Sequence, residues 1–256
     1  MKTLDCESIE STYKSLENIL GIKESHLHKL FDSVDVDDSC SGIEPTQRLF
    51  SYVVRETHCQ VDFEATCWFH CTRTWPSNTF DEGLLPLDQV IDKIWDFLFD
   101  LTEGQVTSEQ WASFRDSMST SNSHWADLYR MKCDNAKLHG PHALLIRKAA
   151  VKDSSYWNYF EIPEIVDDIC KCYPDKGLRD KFIARTAPCI VKFIDHTSNP
   201  NALRVAMIYA YHVHYNLDLL PACNFCFSGE GIPVPKNRIL KVKFLSESDT
   251  KNFRRK

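Results

Sequence analysis

One stretch of the sequence, residues 65–75, changes abruptly from apolar residues to residues that form hydrogen bonds. Its first part, residues 65–69, contains aromatic and thiol side chains that are favoured in a packed strand. His70, Thr72 and Arg73 follow at the end of that strand, where functional sites are often built. Because side chains alternate along a strand, His70 and Thr72 share one face and could bind the same ligand. The alternative is that His70 is a hydrogen-bonded core histidine and that Arg73 forms a surface ion pair.

A carboxylate near the other end of the chain has a second unusual context. Glu230 stands between Gly229 and Gly231, ahead of an apolar and basic segment at residues 239–245. Glycine allows backbone conformations that are closed to other residues, and it leaves room for a ligand to come close. Glu230 is therefore a second candidate site residue, and a solvent-exposed glutamate in an ordinary glycine turn is the alternative.

Both segments resemble parts of one enzyme family. The sequence Phe-His-Cys-Thr-Arg at residues 69–73, followed by a loop and by Glu-Gly-Leu-Leu-Pro at residues 82–86, resembles the first motif of the ADP-ribosyltransferase fold. In that motif a strand carries His followed by Gly-Ser/Thr-Arg, and a turn then leads to a Gly-Leu pair. The Glu230 segment is similar to the family's late strand, which begins near a glutamate. The resemblance spans residues 63–245 and departs from the family at Cys71, where Gly is usual.

The resemblance implies a role for each of these residues. His70 is expected to donate a hydrogen bond to a ribose hydroxyl of NAD, and Thr72 to support the same wall of the pocket. The backbone at Cys71 is expected to hold the nicotinamide carboxamide. Glu230 is expected to bind the other ribose and to stabilise the positive charge that grows on the sugar as nicotinamide leaves. Arg73 is expected to steady the pyrophosphate or to pair with a surface acid.

The central motif of the family is matched less closely. There the family has a strand that begins with Gly and an aromatic residue, followed by a helix beside the nicotinamide, and residues 140–145 could take this place. His142 stands where Tyr is common, and Tyr156 or Tyr159 could equally provide the ring that stacks on nicotinamide. Packing is the alternative role for each of the three.

The implied function is cleavage of NAD by an ADP-ribosyltransferase, which is a glycosyltransferase, or by an NAD glycohydrolase. NAD is then the substrate, and the acceptor of ADP-ribose is a protein, a nucleic acid, a small molecule or water. The alternative is a non-catalytic binding or regulatory module on a related α+β fold. Cys71 leaves that alternative open, as do Pro233 and Pro235, which interrupt the start of the late strand.

The predicted fold is α+β. A helical N-terminal extension is expected at residues 1–60, and an ADP-ribosyltransferase-like domain with a split antiparallel sheet and inserted helices at residues 61–250. Apolar residues at three- and four-residue spacing predict helices at 9–31 with a hinge at Gly21, and at 45–54, 87–99, 107–118, 125–131, 163–172 and 201–220. Besides the His70 strand and a short buried strand in 140–147, later strands are predicted at 189–194 and 239–245.

Two segments have incomplete metal-site patterns. Cys223 and Cys226 have the spacing of half a zinc site, and Cys170 with Cys172 could join them, although a second well-formed pair is absent. The acidic residues 32–38 lack the Gly and Glu positions of a calcium loop. We therefore expect no bound metal, and we expect the thiols to pack as small hydrophobic groups.

Composition favours a soluble globular protein. Eleven cysteines without an apolar leader sequence indicate reduced thiols and a cytoplasmic location, and the sequence offers no apolar run long enough to cross a membrane. The net charge of −6 argues against a general nucleic-acid binder. The basic residues near the C-terminus are expected to form a solvated strand face rather than a binding arm.

Overall fold

The computed structural model describes residues 1–34, 36, 44–152, 158–219 and 223–246. The fold is α+β with an open, largely antiparallel sheet, which confirms the predicted class, whereas the specific ADP-ribosyltransferase fold stays a prediction. The strands are β1 (Thr3–Leu4), β2 (Ala65–Thr74), β3 (His142–Leu144), β4 (Ala187–Asp195), β5 (Cys226–Ser228) and β6 (Ile239–Phe244). Their order is β5-β3-β2-β4-β6, and β1 pairs with the start of β2 in the parallel direction. Phe69 of β2 lies opposite Leu144 of the antiparallel β3.

Helices account for most of the regular structure. They are α1 (Ile9–Leu20), α2 (Glu24–Ser33), α3 (Pro45–Thr57), α4 (Leu87–Asp100), α5 (Ser108–Ser117), α6 (His124–Asp134), α7 (Arg147–Lys152), α8 (Asn158–Glu161), α9 (Glu164–Cys172), α10 (Gly177–Arg185) and α11 (Pro200–His214). Each helix predicted from the apolar spacing is present, and α7, α8 and α10 are additional. The predicted helix at 201–220 is wrong at its C-terminal end, because α11 stops at His214.

Local signals fix several helix ends. The hydroxyls of Ser8 and Ser11 bond reciprocally to each other's backbone N–H at the start of α1, and Gly21 ends that helix with a φ of 71°. Thr107 and Gln110 form the same kind of capping box at the start of α5. After α11, Asn216 takes a φ of 53°, so the chain turns away from the helix.

The chain forms two compact units, each built from separated segments. Unit 1 comprises Met1–Phe69, Ala143–Lys152 and Lys192–Phe227, and unit 2 comprises His70–His142, Asp153–Val191 and Ser228–Lys256. β2 and β4 each contribute residues to both units. The sequence instead predicts a contiguous division after residue 60, and that division stays a prediction.

Unit 1 has a core of helices. α11 packs on α1 and α3, and α2 also packs on α1 and α3. Tyr209 of α11 and Phe31 of α2 are among its largest fully buried side chains. In the same unit the largely buried Lys192 ammonium lies 2.6 Å from the Asp5 carboxylate and 2.8 Å from that of Glu7, so the first residues are held by charge as well as by β1 pairing.

Unit 2 contains a second core, which is rich in aromatic side chains. Trp95 of α4 packs edge-to-face on Trp111 of α5, and both are buried. α6 packs on α9, and at that contact Lys132 Nζ lies 2.6 Å from Asp168 Oδ2. Within the described residues, none of the helices combines the length and the apolar character that a membrane span requires.

Candidate functional site

β2 positions His70 at the point where the strand enters unit 2. Its Nδ1 lies 2.6 Å from the main-chain carbonyl of His142, and because a carbonyl only accepts, Nδ1 carries the proton. Burial lowers the pKa of His70, so the imidazole is neutral near pH 7 and Nε2 is an acceptor. The family resemblance implies that His70 donates a hydrogen bond to a ribose. The geometry reverses that direction, since only Nε2 is left for a ligand.

The turn at residues 140–142 also holds the loop that carries Glu230. Gly229 N donates to the Pro141 carbonyl and Gly231 N to the Gly140 carbonyl, each at 2.9 Å. Glu230 lies between these two bonds with a φ of 47°, and its side chain is exposed. His70 and Glu230 are 160 positions apart in the sequence (230 − 70), yet both lie on segments bonded to one turn.

Two glycines allow the Glu230 loop to pack closely on neighbouring backbone. A Cβ at Gly229 would lie 2.7 Å from Pro141 Cδ. A Cβ at Gly83 would lie 2.2 Å from the Val234 carbonyl oxygen, where Leu84 and Val234 exchange backbone hydrogen bonds of 2.8 and 2.9 Å. The Glu-Gly-Leu-Leu segment noted in the sequence therefore braces the Glu230 loop through its backbone.

Cys71 and Thr72 continue β2 beyond His70. Both are partly buried, and Thr72 lies two residues from His70, on the same face of the strand by alternation. Their expected roles at the nicotinamide and at the pocket wall stay predictions.

Arg73 has partners other than those expected. Its Nε donates to the Phe160 carbonyl at 2.9 Å, and one Nη donates to the carbonyls of Ile183 and Thr186 at 2.9 and 2.6 Å. These carbonyls belong to α8 and to the C-terminal end of α10, which a cation stabilises. Arg73 thus ties helices of unit 2 to β2 through these three main-chain carbonyls, and its expected pairing with a pyrophosphate or an acid stays a prediction.

Three residues were candidates for the ring that stacks on nicotinamide, and each has a different environment. His142 is exposed, its Nε2 lies 3.3 Å from the Leu138 carbonyl, and its own carbonyl binds His70. Tyr156 lies outside the described residues, and Tyr159 is exposed. The structure therefore joins His142 to His70 through the His142 carbonyl, and the Glu230 loop bonds to the two residues before His142.

His139 is a neighbour of this segment that was not predicted from the sequence. Its Nε2 lies 2.8 Å from the Cys133 carbonyl and its Nδ1 lies 3.5 Å from an Asp88 carboxylate oxygen. The His139 carbonyl accepts from Leu87 N at 2.9 Å, at the start of α4. His139 therefore anchors the chain entering the 140–142 turn to α4 and α6. The only sequence signal is a second histidine beside the Gly-Pro pair.

Two further observations concern other kinds of site. Within the described ranges, no three His, Cys, Asp or Glu side chains are grouped so that they could hold a metal ion, and Cys170, Cys172, Cys223 and Cys226 are thiols rather than disulfides. Of the acidic stretch at 32–38, residue 35 and residues 37–38 lie outside the described residues.

A cavity of about 410 Å³ lies elsewhere in unit 2. Its lining consists of Glu161, Ile162, Glu164, Asp167, Lys171 and Arg179. Arg179 contacts Glu161 at 3.0 Å and Asp167 at 3.1 Å, and Lys171 contacts Asp167 at 2.6 Å. The cations are thus paired with acids, and none of the predicted site residues lines this cavity. The candidate site rests on the convergence at the 140–142 turn.

Comparison with known proteins gives no match: no family model, no curated protein and no solved structure is significantly similar to this chain.

Proposed function

We propose that this chain binds and cleaves NAD, either as an ADP-ribosyltransferase or as an NAD glycohydrolase, with Glu230 and His70 as its catalytic residues. The observation that carries the proposal is the shared turn: the Nδ1 of His70 and the N–H groups of Gly229 and Gly231 all donate to carbonyls of residues 140–142. Two groups that the resemblance assigns to one dinucleotide are thus fixed to one backbone segment.

The chemistry of the donor set fits this substrate. The nicotinamide ring of NAD is positively charged while it is bound to the ribose, and it takes the bonding electron pair and leaves as neutral nicotinamide, so that positive charge develops on the sugar. The exposed Glu230 carboxylate accepts a hydrogen bond from a ribose hydroxyl and offers negative charge where the sugar becomes positive. The Nε2 of neutral His70 accepts from a hydroxyl of the other ribose. Cys71 and Thr72 form the continuing wall of β2.

Measured release of nicotinamide tests the proposal. Glu230→Gln removes the charge and keeps the shape, so we expect release to fall by about 100-fold, in the range found when a single preorganised electrostatic group is removed. Glu103→Gln is the matched control, because Glu103 is exposed, has a positive φ of 54° and is followed by Gly104 with a φ of 78°. The control is expected to release nicotinamide at the parent rate. Equal release of nicotinamide by the parent and both variants would show that the Glu230 carboxylate takes no part in the reaction.

A second candidate is the non-catalytic binding module. It is favoured by Arg73, whose Nε and Nη1 are used on main-chain carbonyls rather than on a phosphate, and by Cys71 in place of the usual Gly. Binding of NAD without release of nicotinamide, measured by calorimetry on the parent, would decide for this module.

A further inference from the structure

The loop that carries Glu230 presents an apolar surface to solvent. Ile232, two residues after Glu230, is 71% exposed, and the side chains of Pro233 and Pro235 are exposed as well. An isoleucine side chain that stays in water forgoes the free energy that its burial would provide. This surface is therefore a candidate for contact with another molecule.

A second segment extends this surface. A Cβ at Gly231 would lie 3.6 Å from the Ala136 carbonyl oxygen, so the short helix at Ala136–Leu138 lies beside the Glu230 loop. Ala136 is exposed, and the side chain of Leu138 is 37% exposed. We call these five exposed apolar residues the apolar rim: Ala136, Leu138, Ile232, Pro233 and Pro235.

The backbone of the loop is preorganised. From residue 231 to residue 235, each backbone N–H is either hydrogen-bonded within the protein or missing in a proline. Ile232 N, for example, donates to the Gly229 carbonyl at 2.8 Å, and Val234 N donates to the Leu84 carbonyl at 2.9 Å. A proline also fixes its own φ. A ligand on this loop therefore meets apolar side chains that are held in place, and ordering of the loop costs little binding free energy.

We propose that the apolar rim binds the acceptor of ADP-ribose, and that this acceptor is a protein with an apolar side chain near the residue that is modified. The inference rests on the proposed function, because it assigns the substrate class of that same site. Nicotinamide leaves with the electron pair of its bond to the ribose. An acceptor side chain then supplies the pair for the new bond to the same carbon and releases a proton to solvent. Since Glu230 stabilises the positive sugar, the acceptor approaches beside Glu230, where the rim lies.

Other acceptors fit this surface less well. A nucleic acid would meet the Glu230 carboxylate, and residues 136–142 and 229–235 together contain one lysine, Lys137, and no arginine. Phosphates are bound by such cations or by backbone N–H groups, and the donors from residue 231 to 235 are already bonded or missing. Water as the acceptor needs no apolar surface. An apolar side chain of a protein would cover the exposed part of Ile232.

Transfer to matched peptides tests the proposal. Two peptides carry the same run of Ser, Glu, Arg and Cys, which is flanked by Leu in one peptide and by Asn in the other. Each is incubated with NAD and the full chain, and the readout is the ratio of ADP-ribosylated peptide to free ADP-ribose. We expect this ratio to be about tenfold higher for the Leu peptide with the parent, since an apolar contact is gained. The rim variant, Leu138→Asn with Ile232→Asn, is expected to fold normally, because both residues are exposed, and to lose the preference.

Met131→Asn with Leu240→Asn is the matched control, because these side chains are 50% and 52% exposed in unit 2 and lie outside the rim. The control is expected to keep the preference of the parent. Equal loss of the preference in both double variants would show a general effect of removing exposed apolar groups and would overturn the proposal. It is also overturned if the parent modifies both peptides equally, produces only free ADP-ribose, or modifies an added oligonucleotide faster than the Leu peptide.

Binding without NAD separates this inference from the proposed function. Fluorescence anisotropy of the labelled Leu peptide, titrated with the full chain, is expected to show about tenfold weaker binding by the rim variant and binding within about twofold of the parent by the control. If the parent releases nicotinamide but binds both peptides equally, the rim is not the acceptor site and cleavage of NAD still stands. If the peptide binds at the rim and the parent releases no nicotinamide, both the cleavage and the acceptor role of the rim are overturned.

Discussion

At His70, one proton decides what the side chain can offer to a ligand. The bond from Nδ1 to the His142 carbonyl can be imitated by the amide of Asn, whereas Gln places its amide nearer to the position of Nε2. We therefore expect His70→Asn to keep most of the stability of the parent and His70→Gln to lose about 0.5–1.5 kcal/mol, because it loses this hydrogen bond. Urea unfolding of the two variants measures the difference. Equal stability would mean that the bond to His142 contributes nothing.

The pH dependence of this site follows from the lowered pKa of His70, whose main cause is burial. The folded state holds the imidazole neutral, so its contribution to stability is complete above the ordinary histidine pKa of about 6.5 and is lost as pH falls towards the lower folded value. We expect the free energy of unfolding of the parent to fall relative to that of His70→Asn as the pH is lowered from about 7.5 to about 5. A difference that is constant over this range, measured by urea unfolding, would contradict the assignment.

At this scale the sequence could predict residue types but not the direction of their bonds. His70 and Glu230 were predicted as site residues, and their segments meet at one turn. The acceptor for His70 is a main-chain carbonyl, which leaves no signal in residue types. For the Arg73 guanidinium the sequence predicts a phosphate or an acid as partner. The carbonyls at the end of a helix, to which Arg73 donates, come near it only through folding, so they cannot be recognised from the sequence.

Among the connecting segments, we expect an added methyl group to lower stability most at the turn that contains Gly83. Gly83→Ala combines a φ of 87° with a contact of 2.2 Å to the Val234 carbonyl oxygen. Gly104→Ala is the matched control, because Gly104 has a φ of 78° and nothing within 4 Å of the added Cβ. We expect Gly104→Ala to lose about 1 kcal/mol and Gly83→Ala to lose about 2 kcal/mol more, since its loop must move. Thermal unfolding measures the stability of both variants. Equal losses would show that the close contact between Gly83 and Val234 does not hold the Glu230 loop in place.

The contact between α6 and α9 depends on a buried charge pair. Burial raises the pKa of Asp168 even though Lys132 opposes the shift, and the two side chains are 4% and 15% exposed. Lys132→Met leaves the carboxylate without this cation, and we expect a loss of about 3–5 kcal/mol at pH 7. The loss should shrink near pH 4.5, where the folded state takes up a proton at Asp168 more readily than the unfolded chain does.

An exposed pair provides the control for that prediction. Lys93 pairs with Glu82 at the surface, so Lys93→Met is expected to change stability by less than about 1 kcal/mol at either pH. Denaturant unfolding at both pH values measures the two variants. A loss for Lys132→Met that grows on acidification would show that Asp168 is stabilised in its charged form.

Elements with regular apolar spacing were predictable, and those without it were not. α4 and the helix at Ile9–Leu20 follow the predicted pattern closely. β5 has three residues, too few for any period, and it is a strand because of its neighbours. β3 is equally short, and the sequence predicts it only as a short buried strand somewhere in residues 140–147. α10 escaped prediction because its two buried residues, Leu178 and Phe182, lie among polar and basic ones.

For the molecule as a whole, the cysteines report on how well the interior is closed. Burial raises the pKa of Cys6, Cys67, Cys170 and Cys189 to about 12. Because the thiolate is the reactive form, we expect these four to resist iodoacetamide at pH 8 while the exposed Cys226 is alkylated. Mass spectrometry of tryptic peptides with and without urea checks this expectation. Alkylation of Cys189 at the rate of Cys226 in the folded protein would contradict it.

Whole-molecule organisation was the least accessible from the sequence. Pattern analysis divides a chain into contiguous parts, as the expected boundary after residue 60 does. The two compact units of the structure are discontinuous, and β2 and β4 each contribute residues to both, while the boundary after residue 60 stays a prediction. Long-range pairing of this kind depends on contacts that no local window contains.

The discontinuity of unit 1 has a consequence during synthesis on the ribosome. α1, α2 and α3 emerge first, but α11, against which α1 and α3 pack, begins only at Pro200. The apolar faces of α1 and α3 therefore stay uncovered until the ribosome has made the segment between Thr57 and Pro200, and exposed apolar surface of this kind makes a nascent chain prone to aggregate. A premature stop codon before α11 would consequently leave α1 and α3 without the helix on which they pack.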